Sequence, residues 1–423
     1  MTMQTRCTPK RWAPPVSASL ILLLTLHACG GGGGGNAFSI FPLWVPTDVV
    51  VSDIDADGRA DVLTLAMLST STSHREGRLL VYRQTSPAAF AAPDTFVVGI
   101  YPWRLSVGDL DGDGLTDLVV TDPDGRAVWL LWQDPHNTGR FLPPQQIASD
   151  TVAYEAAIAE LNGDGAPDIA ITNESTSAQS ILLHYQDPEH RGSFLPAVDF
   201  VMPGTPADIA TGALDDDGRD DMLTWIYLAS SGYTPNGTLA ISLQQPGGML
   251  GPVTTLAPQT GLNVGRLAIA DYDGDGRNDV LVFFTPYGAD YHAKLTVLLQ
   301  GLPPGTFARP VDTSLAGIRG IDDAAFADLN SDGRPDVAVA GFFPKGASRL
   351  NLFTQSGGGA FALADVYKMP ITVSRVAAGD IDGDGRNDLV VLGGDNRCLV
   401  MFQSQTVPGT FNAPRPLPEG SQP

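Results

Sequence analysis

One nine-residue pattern, acid-x-[Asp/Asn]-x-Asp-Gly-x-x-Asp, recurs seven times along this chain of 423 residues, with Ala213 in place of the acid in the fourth copy. It starts at Asp53, Asp109, Glu160, Ala213, Asp271, Asp328 and Asp380, in steps of 56, 51, 53, 58, 57 and 52 residues. A near-constant period marks a repeat architecture, in which each unit buries its apolar face only against its neighbours. The seven units run from about residue 46 to 418 and leave no room for a second domain.

Each unit reads as four strands. The first precedes the acidic loop, as in Val49-Val50-Val51 and Leu267-Ala268-Ile269-Ala270, and the second leaves it as an apolar run such as Leu118-Val119-Val120. Continuous runs of this length suit a strand covered on both faces. The third includes Val128–Trp132, Ile181–Tyr185 and Leu295–Leu299, and the fourth begins near Phe90, Phe141, Phe194, Leu250, Phe307, Phe361 or Phe411. Before each loop, larger apolar residues alternate with Ala, Gly or Ser, and small residues are needed where blades converge on an axis, so this strand is the innermost. The expectation is an all-β, seven-bladed β-propeller of four-stranded antiparallel blades, near 46–98, 99–149, 150–202, 203–257, 258–313, 314–369 and 370–418. Phe38–Trp44 is available to add to the last blade; without it the ring closes with no strand exchange.

The Asp-x-Asp-x-Asp-Gly-x-x-Asp loops, each followed by an apolar strand and a later Gly-x-Phe, resemble the FG-GAP and VCBS repeats. These repeats build the seven-bladed head of integrin α subunits and many bacterial surface proteins. The resemblance implies that the metal loops join the first and second strands on one face, with the variable loops on the other.

The loops themselves carry cation chemistry. Calcium takes six to eight hard oxygen ligands in flexible geometry. Oxygen side chains at positions 1, 3, 5 and 9, a carbonyl at 7 and a turning glycine at 6 supply them. The candidate ligands are Asp53, Asp55, Asp57, Arg59 (carbonyl) and Asp61; Asp109, Asp111, Asp113, Leu115 (carbonyl) and Asp117; and Glu160, Asn162, Asp164, Ala166 (carbonyl) and Asp168. They continue as Asp215, Asp217, Arg219 (carbonyl) and Asp221; Asp271, Asp273, Asp275, Arg277 (carbonyl) and Asp279; Asp328, Asn330, Asp332, Arg334 (carbonyl) and Asp336; and Asp380, Asp382, Asp384, Arg386 (carbonyl) and Asp388. Ala213 has no donor, so the fourth loop is expected to be weak and the total five to seven Ca²⁺. An EF-hand needs Glu at position 12, where Thr64 and Val120 stand, so EF-hands are excluded. Turn hydrogen bonding is the competing reading, and it does not by itself explain Asp at position 9 in all seven copies.

Charge agrees with this. The formal charge is −22, from 47 acidic and 25 basic residues. The candidate ligands include 25 of the acids, and outside them the chain beyond residue 28 is formally neutral. Such acidity argues against nucleic acid as a partner.

The N-terminus reads as a targeting segment, residues 1–28. Arg6, Lys10 and Arg11 precede the apolar stretch Val16–Leu26, which is too short to span a bilayer. Leu26-His27-Ala28-Cys29 resembles a lipobox, although His27 stands where a small or aliphatic residue is usual. It implies a lipid on Cys29, with residues 29–36 as a glycine-rich tether and the membrane touched only through the anchor. The alternative is an ordinary secretory signal followed by a chance cysteine. The expected address is the outer membrane of a Gram-negative-type envelope. Cys398 is the remaining thiol beyond the signal and reads as a buried hydrophobe.

Function is less legible. The residue five before each loop is charged in every copy: Asp48, Arg104, Glu155, Asp208, Arg266, Asp323 and Arg375. The near-alternating signs favour a belt of inter-blade ion pairs; the functional reading offers Arg104, Arg266 and Arg375 to an anionic ligand at the channel mouth. Trp103 and Tyr154, with Tyr101, are candidate stacking platforms for a sugar. A Gln ends every third strand, from Gln84 to Gln403, placed to brace loop backbone. No HExxH, Gly-x-Ser-x-Gly, Walker loop or dinucleotide fingerprint occurs. The expectation is a monomeric, non-enzymatic adhesion or scaffold module for a protein partner. A lectin-like glycan binder is the alternative, and a polysaccharide-active enzyme a more distant one.

Overall fold

A computed structural model describes residues 43–69, 75–149, 151–174, 179–228, 236–256, 259–260, 262–286, 292–315, 317–342, 348–394 and 397–417. The signal segment, Cys29, the glycine tether, Phe38–Pro42 and parts of the loop between the second and third strands in six blades lie outside the described residues.

Seven four-stranded antiparallel sheets form a seven-bladed β-propeller. Blade 1 runs Leu43–Ser52, Asp61–Ser69, Gly77–Tyr82, Asp94–Val97, from the axis outwards. The inner strands of blades 2 to 7 are Arg104–Gly108, Ala156–Ala159, Thr205–Gly212, Leu262–Ala270, Gly320–Ala327 and Val373–Gly379. Leu43 and Trp44 pair with Ser69 and Leu68 of blade 1, and blade 7 takes its four strands from Val373–Pro416. Among the described residues the ring closes without strand exchange.

Closure is by packing. The second strands are buried on both faces, so an apolar core lies between every pair of neighbouring blades. Between blades 1 and 2 it includes Leu63, Leu65, Leu105, Leu118 and Val120. Between blades 7 and 1 it includes Val49, Val62, Ile381, Val390 and Leu417. Each such side chain contributes about 1.5–3 kcal/mol by leaving water. Cys398 lies in the closing core, where burial pushes its thiol well above the usual range.

The small residues on the inner strand have a definite partner. A Cβ on Gly108 would lie 3.3 Å from Ile158, and one on Gly212 would lie 3.5 Å from Ile269. On Gly379 it would lie 2.5 Å from Val51, across the closure. The residue just before a loop is therefore small because the larger residue of the next blade fills its place.

Two details differ from expectation. The recurring Phe does not open the fourth strand in most blades: Phe141, Phe194, Leu250 and Phe411 form isolated bridges to the Gln ending the third strand. In blade 1 Phe90 belongs to a separate hairpin, Gln84–Ser86 with Ala89–Phe90. The fourth strand proper follows a few residues later, as in Gln145–Ser149, and only in blades 5 and 6 does it start at the Phe itself. Blade 4 also reaches past 257, because Gln259–Thr260 pairs with Asn236 and Gly237.

Candidate metal centres

Each acidic loop links the first strand of a blade to the second and is built by its own carboxylates. Position 6 is a left-handed glycine in all seven copies, from Gly58 to Gly385. Position 4 is left-handed as well, as Gly112, Gly163, Gly274 and Gly383, and as Ala56, Asp216 and Ser331 at φ 55°, 64° and 61°. The side chain at position 1 folds over these turns: Asp271 accepts from Gly274, Asp275 and Gly276 at 2.7, 3.2 and 2.8 Å. Position 5 accepts the amide of position 7, as Asp275 does from Arg277 at 3.0 Å.

The aspartate at position 9 is a strut. One oxygen of Asp279 accepts from Tyr272 at 2.9 Å and the other from Gln300 at 2.7 Å. The same pair of bonds recurs in every blade, from Asp61 with Ile54 and Gln84 to Asp388 with Ile381 and Gln403. Asp at position 9 therefore has a structural cause independent of any cation, and its recurrence does not discriminate between turn chemistry and metal. This corrects the weight the sequence places on it. The amide of the third-strand Gln does brace loop backbone, as Gln133 to the Thr116 carbonyl at 2.9 Å and Gln403 to that of Asn387 at 3.0 Å.

The metal reading rests instead on convergence. Oxygens of Asp53, Asp55 and Asp57 lie within 4.8 Å of one another, as do those of Asp109, Asp111 and Asp117. Asp271, Asp273 and Asp279, and Asp380, Asp382 and Asp388, do the same. These are the four loops with four carboxylates each. Asp55 Oδ1 is buried with no hydrogen-bond partner, an orphan acceptor facing its like-charged neighbours. Burial, reinforced by adjacent carboxylates, raises Asp55, Asp111 and Asp382 above the usual range. Position 9 is pushed further by burial, to about 6 at Asp61, Asp221, Asp279 and Asp336 and about 7 at Asp117, Asp168 and Asp388. Hard oxygen donors that repel one another until a cation joins them are the donor set of calcium. The loops can hold a metal ion, and their residues fit Ca²⁺. Loop 3 (Glu160, Asn162, Asp164) and loop 6 (Asp328, Asn330, Asp332) put an amide in place of one carboxylate. In loop 4 the Ala213 side chain leaves position 1 empty-handed, and its carbonyl accepts from Asn278 at 2.9 Å.

A guanidinium shares three of these loops: Arg59 pairs with Asp57, Arg219 with Asp217 and Arg277 with Asp275. Arg386 stands 3.9 Å from Asp384. Loops 2 and 3, with Leu115 and Ala166 at that position, have no such cation.

The charges five residues before the loops meet in the central channel. In five blades a register shift falls just before this residue, as between Pro46 and Asp48 or Val264 and Arg266. A bulge there re-aims the side chain. Arg104 lies 3.2 Å from Asp48, 2.7 Å from Glu155 and 3.8 Å from Asp323 on the far side of the ring. Arg266 lies 3.3 Å from Asp323 and 3.9 Å from Glu155. Arg375 donates to the carbonyls of Thr47, Asp322 and Ser374 and lies 5.3 Å over the ring of Trp103. Trp103 in turn packs 5.6 Å from Tyr101 and 6.0 Å from Tyr154. Ion pairs thus cross the channel as well as join neighbours, a geometry that alternation along the sequence does not reveal.

The FG-GAP-like repeat family matches residues 53–120, 109–171, 161–224 and 328–391, more than half of the chain. The chain belongs to this family. It is 28% identical over 214 residues to integrin alpha pat-2 of Caenorhabditis briggsae and 27% identical to that of Caenorhabditis elegans. The match covers 43% of this chain but 17% of each relative, so it concerns only a fraction of those proteins. A solved structure titled "Structure of Dos1 propeller" aligns over 84% of this chain and 75% of its own, at 14% identity and a TM-score of 0.47.

Proposed function

We propose that this FG-GAP propeller is an exported calcium-binding module, held at the cell envelope by a lipid on Cys29, that binds a partner and catalyses nothing. The observation that supports it most directly is the convergence of carboxylate oxygens in blades 1, 2, 5 and 7. Positions 1, 3, 5 and 9 and the carbonyl of position 7 would hold the ion. Bound calcium supplies the charge that these loops lack, and the rest of each loop keeps its turn. The expected stoichiometry is five to seven, with loop 4 weakest. Millimolar calcium added to chelated protein should raise the melting temperature strongly, because a ligand that binds only the native state stabilises it. No rise would sink the metal reading. Release of Cys29→Ser protein from the membrane fraction tests the anchor, and a variant held as firmly as wild type overturns it.

The partner-binding role is supported by membership of a repeat family that includes integrin α heads. The cluster of Tyr101, Trp103 and Tyr154 favours a glycan as the second reading, and a glycan array with residues 37–423 separates a sugar from a protein partner.

A further inference from the structure

The Gly-x-Phe that follows the third strand in five blades (Gly-x-Leu in blade 4) lies in a hairpin, and its glycine sits at a position the loop chemistry leaves unexplained. Gly139, Gly192, Gly305 and Gly409 all adopt φ near +80°. A Cβ on Gly139 of blade 2 would lie 2.8 Å from the Cβ of Asp55, position 3 of the loop in blade 1. On Gly409 of blade 7 it would lie 3.1 Å from the Cβ of Asn330, position 3 in blade 6, and on Gly305 of blade 5 it would lie 3.3 Å from that of Asp215 in blade 4. On Gly192 it would lie 3.6 Å from that of Asp111, which is ordinary contact. The hairpins of blades 2, 5 and 7 therefore press on position 3 of the loop before them, and that of blade 4 lies against the Asn162 backbone; in blade 6 Gly359 meets Val297 and Leu299 instead.

Two other contacts run in the same direction around the ring. The Gln300 amide donates to the Leu214 carbonyl of the preceding loop at 2.8 Å, and Gln244 to that of Glu160 at 3.0 Å. At position 8, Asn387 donates to the Asp328 carbonyl at 3.0 Å, as Asn278 does to Ala213.

We infer that the metal loop of blade 1 is completed by blade 2, and those of blades 4 and 6 by the blades after them, with the hairpin glycine as a positioning residue for a calcium site it does not ligate. Calcium in one blade and docking of the next are then linked, and linkage is reciprocal. This rests on the calcium reading above. Carbon atoms pack at about 3.5–4.0 Å, so Gly139→Ala must displace Asp55 or its own hairpin. Gly192→Ala meets the same backbone strain without that push.

The test is a calcium titration followed by NMR at the amides of Gly58 in loop 1 and Gly114 in loop 2. Gly139→Ala should move the Gly58 midpoint to at least about fivefold higher calcium and leave Gly114 within about twofold. Gly192→Ala should leave both within about twofold. If Gly139→Ala shifts Gly114 instead, or shifts neither, the inference is overturned. If Gly139→Ala does not fold, Gly409→Ala read at Gly333 in loop 6 decides in the same way. Wild-type amides that ignore calcium altogether would bring down the metal reading itself, a result distinct from a titration that the glycine leaves unmoved.

Discussion

At the scale of single residues, the left-handed positions show what this fold asks of its backbone. Six hairpins place a glycine two residues before the Phe or Leu; blade 1 places Ala88 there, at φ 58°. Ala56, at φ 55°, likewise fills a position that is glycine in four other loops. An alanine in this region suffers a contact between its Cβ and the carbonyl that glycine avoids. Ala88→Gly and Ala56→Gly should each stabilise the protein by roughly 0.5–1 kcal/mol, net of the greater freedom of glycine in the unfolded chain. Chemical denaturation measures this. A loss of stability in either would mean that the alanine methyl makes a contact worth more than the strain. The glycine at position 6 is legible from sequence because it never varies. Position 4 is not, since Ala56, Asp216 and Ser331 disguise a requirement that only the φ values expose.

At the scale of the element, the nine-residue loop divides into a frame and a set of ligands. Asp279 belongs to both, because its oxygens take two buried amides and also converge with those of Asp271 and Asp273. Asp275 is exposed and its side chain bonds only Arg277 two residues away. Asp279→Ala leaves the Tyr272 and Gln300 amides without acceptors and should cost about 2–4 kcal/mol even in chelator, and more in calcium, where a ligand is lost as well. Asp275→Ala removes a ligand when calcium is present but relieves repulsion when it is absent. Its melting temperature should fall in excess calcium and change little, or rise, in chelator. Asp217→Ala should show a smaller calcium-dependent difference, because Ala213 has already weakened loop 4. Equal losses for Asp275→Ala in both conditions would show that turn hydrogen bonds hold that loop. The strands and the loops were readable from period and composition, since both are properties of one stretch of chain. The strut at position 9 was not, because its second partner, the Gln amide, lies 15 to 23 residues away. Nor was the role of the Gly-x-Phe glycine, whose contact lies on another blade, although its recurrence two residues before the Phe or Leu was a signal.

At the scale of the whole molecule, the ring concentrates more negative charge than it can comfortably hold, and this sets its response to pH. The seven aspartates at position 9 are raised to about 6 or 7, chiefly by burial. Outside the acidic loops, burial and the charge of Glu155 raise Asp208 to about 7 and Glu174 to about 8. All of these lie above the ordinary carboxylate range of the unfolded chain, near 4. Between those values the folded state holds more protons than the unfolded one, so stability falls as pH rises. His184 acts in the opposite sense below about 6.5, since burial lowers its pKa, but it is one group against nine. In chelator, the melting temperature should therefore be highest near pH 4–5 and decline through pH 6 to 8. Calcium binds the deprotonated loops, so in millimolar calcium the decline should shrink to the part that Asp208 and Glu174 contribute. That part should persist to about pH 8, because neither Asp208 nor Glu174 belongs to an acidic loop. Glu174→Gln should remove most of that remainder. Half-molar sodium chloride in place of calcium is the control: salt screens exposed charge over a few ångströms and leaves buried carboxylates largely as they are. A decline that sodium chloride abolishes as well as calcium does would assign it to general repulsion across an acidic surface, and the loops would not be its source.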